Sequence, residues 1–173
     1  MKMLKFLNKK KDNKGFSLVE LIIVVAIMAI LVGLLAPQYI KYVEKSRKSA
    51  DASNLSEMVN AVQIYAADAE SSLPKGTYTI TINKTATNNV GTTITSTDAS
   101  STAVDQVKAA VAETAPDYAS TTLKSSKWGD NADDVPISAA ITVNDEGGTQ
   151  VTYSPAKLQT FVKNKTGAAG SSN

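Results

Sequence analysis

Leu18 to Ala36 is a run of nineteen residues with a single charged side chain, Glu20. At a helical rise of ~1.5 Å per residue, the run nearly spans the ~30 Å hydrocarbon core of a bilayer. The pattern then changes without stopping. Ile40, Val43, Arg47, Ala50, Leu55, Met58, Val59, Val62, Tyr65, Ala66 and Ala69 recur mostly at spacings of three and four. Lys41, Glu44, Lys45, Lys48, Asp51, Asn54, Glu57, Asn60 and Gln63 fall between them. That is the signature of an amphipathic helix with one apolar and one wet face. Asp68, Glu70 and the segment Ser71-Ser72-Leu73-Pro74-Lys75-Gly76 supply a stop. The spacing therefore predicts one helix from Phe16 to about Glu70, roughly 80 Å long. Its first half, apolar all round, requires lipid or other helices around it.

From Thr77 the period changes to two. Thr77 to Asn83 places Tyr78, Ile80 and Ile82 on one face and threonines on the other, a half-buried strand. Turn residues Asn88-Asn89-Val90-Gly91 lead into a second, weaker strand over Thr92–Thr97. Thr102 to Thr114 reads as a short capped helix with Val104, Val107 and Val111 inward, ended by Ala115-Pro116-Asp117-Tyr118. Ile137–Val143 and Thr149–Ser154, joined by Asn144-Asp145-Glu146-Gly147-Gly148, form a hairpin. Ser154-Pro155 caps a last short helix running to about Lys163, with Leu158, Phe161 and Val162 apolar. The expected fold is α+β. A long N-terminal helix, membrane-spanning in its first half and amphipathic in its second, packs on a small antiparallel sheet with short accessory helices. The expected division is a leader over 1–15, a protruding helix over 16–52, a head over 53–166 and a disordered tail over 167–173.

Composition excludes much chemistry. The 173 residues contain no Cys and no His, so a thiol nucleophile, an imidazole base, a Cys/His zinc site and disulfides are all ruled out. No P-loop, dinucleotide or serine-triad pattern is present either, and the expectation is a protein that is not an enzyme. The formal net charge of +2 conceals two opposite pieces. Residues 1–15 hold six lysines against Asp12, a net +5, while the rest of the chain is at −3. A basic segment before an apolar run keeps the N-terminus on the cytoplasmic side.

An ordinary secretory signal has a shorter apolar region followed by small residues spaced for cleavage, and Gly33-Leu34-Leu35-Ala36-Pro37 provides that spacing poorly. A plain anchor leaves Glu20 unexplained, since an ionisable residue in a membrane segment is by default a functional candidate. Lys14-Gly15-Phe16-Ser17-Leu18-Val19-Glu20-Leu21 with its apolar run resembles the class III signal of type IV prepilins and pseudopilins. The close resemblance covers roughly residues 9–45.

The resemblance implies cleavage between Gly15 and Phe16 by a membrane peptidase, and N-methylation of Phe16. It implies that Glu20 pairs with the Phe16 amine of a neighbouring copy during assembly, a buried charge made tolerable by its partner. Gly33 and Pro37 mark a helix weak point, where related filaments lose helicity; the alternative for Pro37 is a simple kink at the membrane exit. The implied function is a structural subunit of a type IV pilus-like filament. The alternative is a pseudopilin of a type II-like secretion system or a competence pilin for DNA uptake. Partners would be copies of the chain, the prepilin peptidase, the assembly platform with its ATPase, and the membrane. The location would be the cytoplasmic membrane first, with the N-terminus inside, then an extracellular filament.

The lack of Cys departs from the disulfide-closed head of many pilins and leans toward a source that uses disulfides little, such as an anaerobic Gram-positive bacterium. Nucleic acid is not an expected partner of a body at −3. Lys41, Lys45, Arg47 and Lys48 cluster just beyond the apolar run, where anionic headgroups are the simpler contact. No cofactor is expected. Asp130, Asp133 and Asp134, near Trp128, are a weak Ca²⁺ candidate: they lack EF-hand spacing, and a solvated acidic loop pinned by Trp128 is the preferred reading.

Overall fold

A computed structural model describes residues 16–68, 73–87, 90–97, 100–129 and 133–167. The elements are α1 (Leu18–Ala67), β1 (Gly76–Thr87), β2 (Val90–Ser96), α2 (Ser101–Thr114), a 3₁₀ turn (Tyr118–Ser120), β3 (Ile137–Val143), β4 (Thr149–Ser154) and α3 (Ala156–Gly167). By internal contacts the chain divides into two units, Met1–Lys41 and Tyr42–Asn173.

In the first unit, α1 is helical from Leu18 onward and continues through Gly33 and Pro37. Its large apolar side chains from Leu18 to Leu35 are 48% to 72% exposed. A stretch this long and apolar is sufficient to cross a membrane, and it fits a transmembrane anchor.

In the second unit, four antiparallel strands form one sheet in the order β2-β1-β3-β4. The β1–β2 and β3–β4 pairs are sequence neighbours, whereas β1 meets β3 across an excursion containing α2 and the 3₁₀ turn. Alternation fixes the register. Tyr78, Ile80 and Ile82 of β1 lie opposite Ile141, Ala139 and Ile137 of β3, and all six are buried. A slip of one residue would place threonines in the core. Ala52, Leu55, Met58, Val59, Val62 and Ala66 of α1 join that face, with Ala103, Val107 and Val111 of α2, Trp128 and Leu158. The opposite face carries Thr77, Thr79, Thr81, Thr93 and Thr95, and the Thr77 and Thr142 hydroxyls meet at 3.3 Å. The β-branched residues thus satisfy strand propensity without adding apolar surface there.

Several boundaries differ from the sequence expectation. α1 ends at Ala67, and residues 69–72, with Ala69 and Glu70, lie outside the described residues. β1 extends to Thr87, which pairs with Val90 of β2 beyond a register shift after Ile82. α3 runs to Gly167, the residue assigned to the start of a tail, and residues 168–173 lie outside the described residues. The Asn88-Asn89 turn also lies outside them. On α1, Arg47 is expected on the apolar stripe, yet it is exposed. The most consequential correction concerns Asp51, assigned to the wet face: its side chain is buried in the head.

Gly91 is required by a close approach. A Cβ there would stand 2.4 Å from the Thr121 carbonyl oxygen and 2.5 Å from Thr122 Cγ2. Backbone cannot yield as a flexible side chain can. Gly91→Ala is therefore expected to lower stability by about 1–3 kcal/mol, as overpacking does, read as a reduced urea midpoint with an unchanged slope.

Candidate functional site

The first turn of α1 is a capping box. Ser17 occupies the position before the helix, and its hydroxyl accepts a hydrogen bond from the Val19 amide at 3.3 Å. Glu20 reaches back, its Oε2 accepting from the Ser17 amide at 3.2 Å. The Leu21 amide closes the first turn on the Ser17 carbonyl at 3.2 Å. A helix start leaves backbone donors without partners, and this reciprocal pair satisfies two of them. The carboxylate also sits at the positive end of the helix dipole.

This role for Glu20 was missed in the sequence, although the signal was present. Ser17-Leu18-Val19-Glu20 is a serine followed three residues later by a glutamate, immediately before an apolar run. The structure thus gives Glu20 a partner within its own chain. Phe16, 89% exposed, directly precedes the cap. Gly15 lies outside the described residues. Gly33 and Pro37 lie within uninterrupted α1, and a Cβ at Gly33 would meet nothing within 4 Å. Glycine is therefore not demanded there by packing inside this chain.

The second constellation lies in the head, where α1 meets the segment Leu123–Trp128. The Asp51 carboxylate accepts three hydrogen bonds, from the Lys124 amide at 2.7 Å, the Ser125 amide at 2.9 Å and Trp128 Nε1 at 3.0 Å. Two turns earlier on the helix, Glu44 accepts from the Ser125 hydroxyl. Between them, Lys48 places its ammonium 5.1 Å from the Trp128 ring centroid, a cation–π contact. Phe161 of α3 meets the same indole edge-on, with centroids 5.8 Å apart. On the other side of the segment, Lys84 donates to the carbonyls of Leu123 and Lys124, both at 3.1 Å. A segment without regular secondary structure has backbone groups to satisfy. Here the Asp51 carboxylate serves two amides and the Lys84 ammonium two carbonyls. Helical spacing aligns Asp51 with the apolar stripe without saying what meets it. Stepping back a turn from Leu55, Met58, Val62 and Ala66 lands on Asp51, so the apolar stripe carries a carboxylate at its end.

Trp128 is fully buried. Asp133 accepts from Lys127 Nζ through both oxygens at 2.7 Å. That hydrogen bond and the charge behind it hold the Lys127 ammonium above its ordinary range. Asp134 has a left-handed backbone, with φ 59°. Asp130 lies outside the described residues. Among the described residues, no three acidic side chains gather in a way that could hold a metal. Elsewhere in the head, burial raises the hydroxyl pKa of Tyr78, whose OH donates to the Pro74 carbonyl at 2.8 Å. Burial likewise raises that of Tyr153, against a hydrogen bond with Ser56 that lowers it.

Comparison with known proteins addresses the first constellation. No curated protein and no solved structure matches the chain. The family model of the prokaryotic N-terminal methylation motif matches residues 10–36, which contain the Gly15-Phe16 junction, the capping box and the whole apolar run. The chain carries at its N-terminus the class III signal that marks type IV pilin-like precursors.

Proposed function

We propose that this chain is the precursor of a structural subunit of a type IV pilus-like filament. It is cut between Gly15 and Phe16, N-methylated on Phe16 and assembled with copies of itself through α1. The observation that carries this reading is the coincidence of the methylation motif over residues 10–36 with a helix whose apolar side chains, from Leu18 to Leu35, are all exposed. Cutting at Gly15 removes the six lysines that orient the precursor and leaves the apolar run in place. The product therefore stays in the membrane. The same surface is then satisfied equally well by identical helices, which is how one segment serves first as anchor and later as filament core.

Cleavage also changes the surroundings of Glu20. A new ammonium forms at Phe16, one residue before the capping serine. In an assembled fibre, Glu20 pairs with that amine on a neighbouring copy and fixes the register of two sliding helices. Gly33 and Pro37 supply the place where α1 loses helicity on assembly, since proline contributes no backbone donor.

Two substitutions separate the cap from the charge. Glutamine retains a capping-box acceptor but has no charge, whereas alanine lacks both. Glu20→Gln and Glu20→Ala are both expected to be processed and membrane-bound, with filament recovery after shearing lowered about tenfold or more, as when a buried charge loses its partner. Helix content in micelles should fall only for alanine, by an amount reflecting about 1 kcal/mol of capping. Wild-type filament levels from Glu20→Gln would refute the charge pair. N-terminal sequencing of sheared surface material tests the whole reading: a first residue other than methylated Phe16, or no filaments by electron microscopy, would overturn it.

A further inference from the structure

We propose that the head carries an acidic cleft that receives the Lys45 side of α1 from a second copy, so that consecutive subunits dock head to tail. The inference rests on the filament reading above and names the surface that would set the stagger between copies.

The cleft, about 210 Å³, lies between α1 and the turn after α2. Asn54, Glu57 and Met58 form one wall, and Pro116, Asp117 and Tyr118 the other. Glu57 and Asp117 are both exposed, and among the described residues neither carboxylate has a hydrogen-bond or ion-pair partner. That sets them apart from Asp51, Asp105, Asp133 and Asp145, which are engaged within the chain. The cleft thus offers two uncommitted negative charges beside the apolar side chains of Met58 and Pro116.

The complementary surface is on the same chain. Most cations in the head are committed: Lys75 to Asp145, Lys108 to Asp105, Lys127 to Asp133, Arg47 to Glu44, Lys84 to carbonyls and Lys48 to the Trp128 ring. Lys41 and Lys45, one helical turn apart, are exposed, and among the described residues neither has a partner. Lys124 is exposed and uncommitted as well, but it stands alone.

Helix geometry decides what a Lys45–Glu57 contact would build. Twelve residues separate the two, which places them about 18 Å apart along α1 and about 120° apart around it. Lys45 cannot reach the cleft of its own chain. Because the two charges leave the helix on different sides, the surfaces are not self-complementary and a closed pairing of two copies is disfavoured. A parallel copy displaced by about 18 Å brings its Lys45 to the first copy's Glu57 and leaves its own cleft open for the next. Such heterologous contacts propagate into an open fibre.

Charge reversal and crosslinking in the full-length protein test this. Glu57→Lys and Lys45→Glu are each expected to reduce sheared filament yield at least about tenfold, because like charges are brought together at an interface. Both positions are exposed, so processing, membrane retention and the unfolding midpoint of the head should be unchanged. The double reversal should restore yield to within about twofold of wild type, since each altered charge again meets its opposite. In a chain without native cysteine, Lys45→Cys combined with Glu57→Cys should give a ladder of multimers when intact filaments are treated with a short bis-maleimide.

Single reversals that assemble normally would overturn the docking, as would a double reversal no better than the singles. Abundant filaments without a ladder would do the same while leaving the filament reading standing. A processed wild-type protein that forms no filament would overturn both.

Discussion

Replacing Asp51 with alanine is expected to destabilise the head by about 3–5 kcal/mol, because three donors lose their acceptor. Its carboxylate is the common acceptor for two backbone amides and the Trp128 indole. Removing it leaves three donors facing a small cavity, and each unsatisfied buried donor costs about 1–3 kcal/mol. Partial relaxation and water entry reduce the total below a simple sum. Asp51→Asn is the informative control, because it preserves volume. One oxygen serves Lys124 and the other serves Ser125 and Trp128, so whichever position the amide nitrogen takes, it turns a donor toward a donor. Asparagine should therefore be nearly as damaging as alanine. Trp128→Phe loses only the indole donor and some packing, and should cost less. Urea unfolding of the processed protein in micelles, followed by tryptophan fluorescence for the Asp51 variants and circular dichroism for Trp128→Phe, measures all three. A loss below about 1 kcal/mol for Asp51→Ala would show that solvent replaces the carboxylate without penalty, contrary to the burial argued here.

Gly15→Val is expected to leave the precursor uncut. A peptidase acting on an extended backbone at a membrane surface finds no side chain at glycine, whereas valine adds a branched Cβ and stiffens the chain there. The predicted product retains all fifteen leader residues, remains in the membrane through the Leu18–Ala36 run and contributes to no filament. Intact mass measurement distinguishes it from the form beginning at Phe16. The leader's charge should keep the uncut chain correctly oriented, so failure to assemble would not reflect failure to insert. A valine variant still trimmed to Phe16 would defeat the class III reading of the junction. The variant alters nothing in the head, whose core begins at Asp51 and Ala52, so the same preparation should unfold in urea as wild type does.

The two expected effects arise from opposite ends of what a sequence can disclose. The Gly15-Phe16 junction, the offset Glu20 and the apolar run form a contiguous local pattern, and the family model matches them at residues 10–36. β3 and β4 were equally legible, with boundaries at Ile137–Val143 and Thr149–Ser154, because strict alternation around a glycine-rich turn has no competing interpretation. The capping box was readable in principle and was obscured by the charge, since an acid next to a membrane run draws attention away from its ordinary use at a helix start. Asp51 was harder. Helical periodicity identifies which residues share a face, and a polar residue at the edge of an apolar face is normally assigned to solvent.

By itself the sequence determined the elements, their order, the apolar anchor and the signal in front of it, because each depends on residues within a few positions of one another. Only the tertiary structure decided that Asp51 is buried, that Gly91 lies beneath the Thr121 carbonyl, and that Asn54 and Glu57 face Asp117 across one cleft. The physical reason is common to all three. Asp51 finds its donors more than seventy residues away, in a segment with no periodicity of its own. Whether a carboxylate meets water or three N–H groups depends on which distant backbone the fold brings to it. No local pattern encodes that.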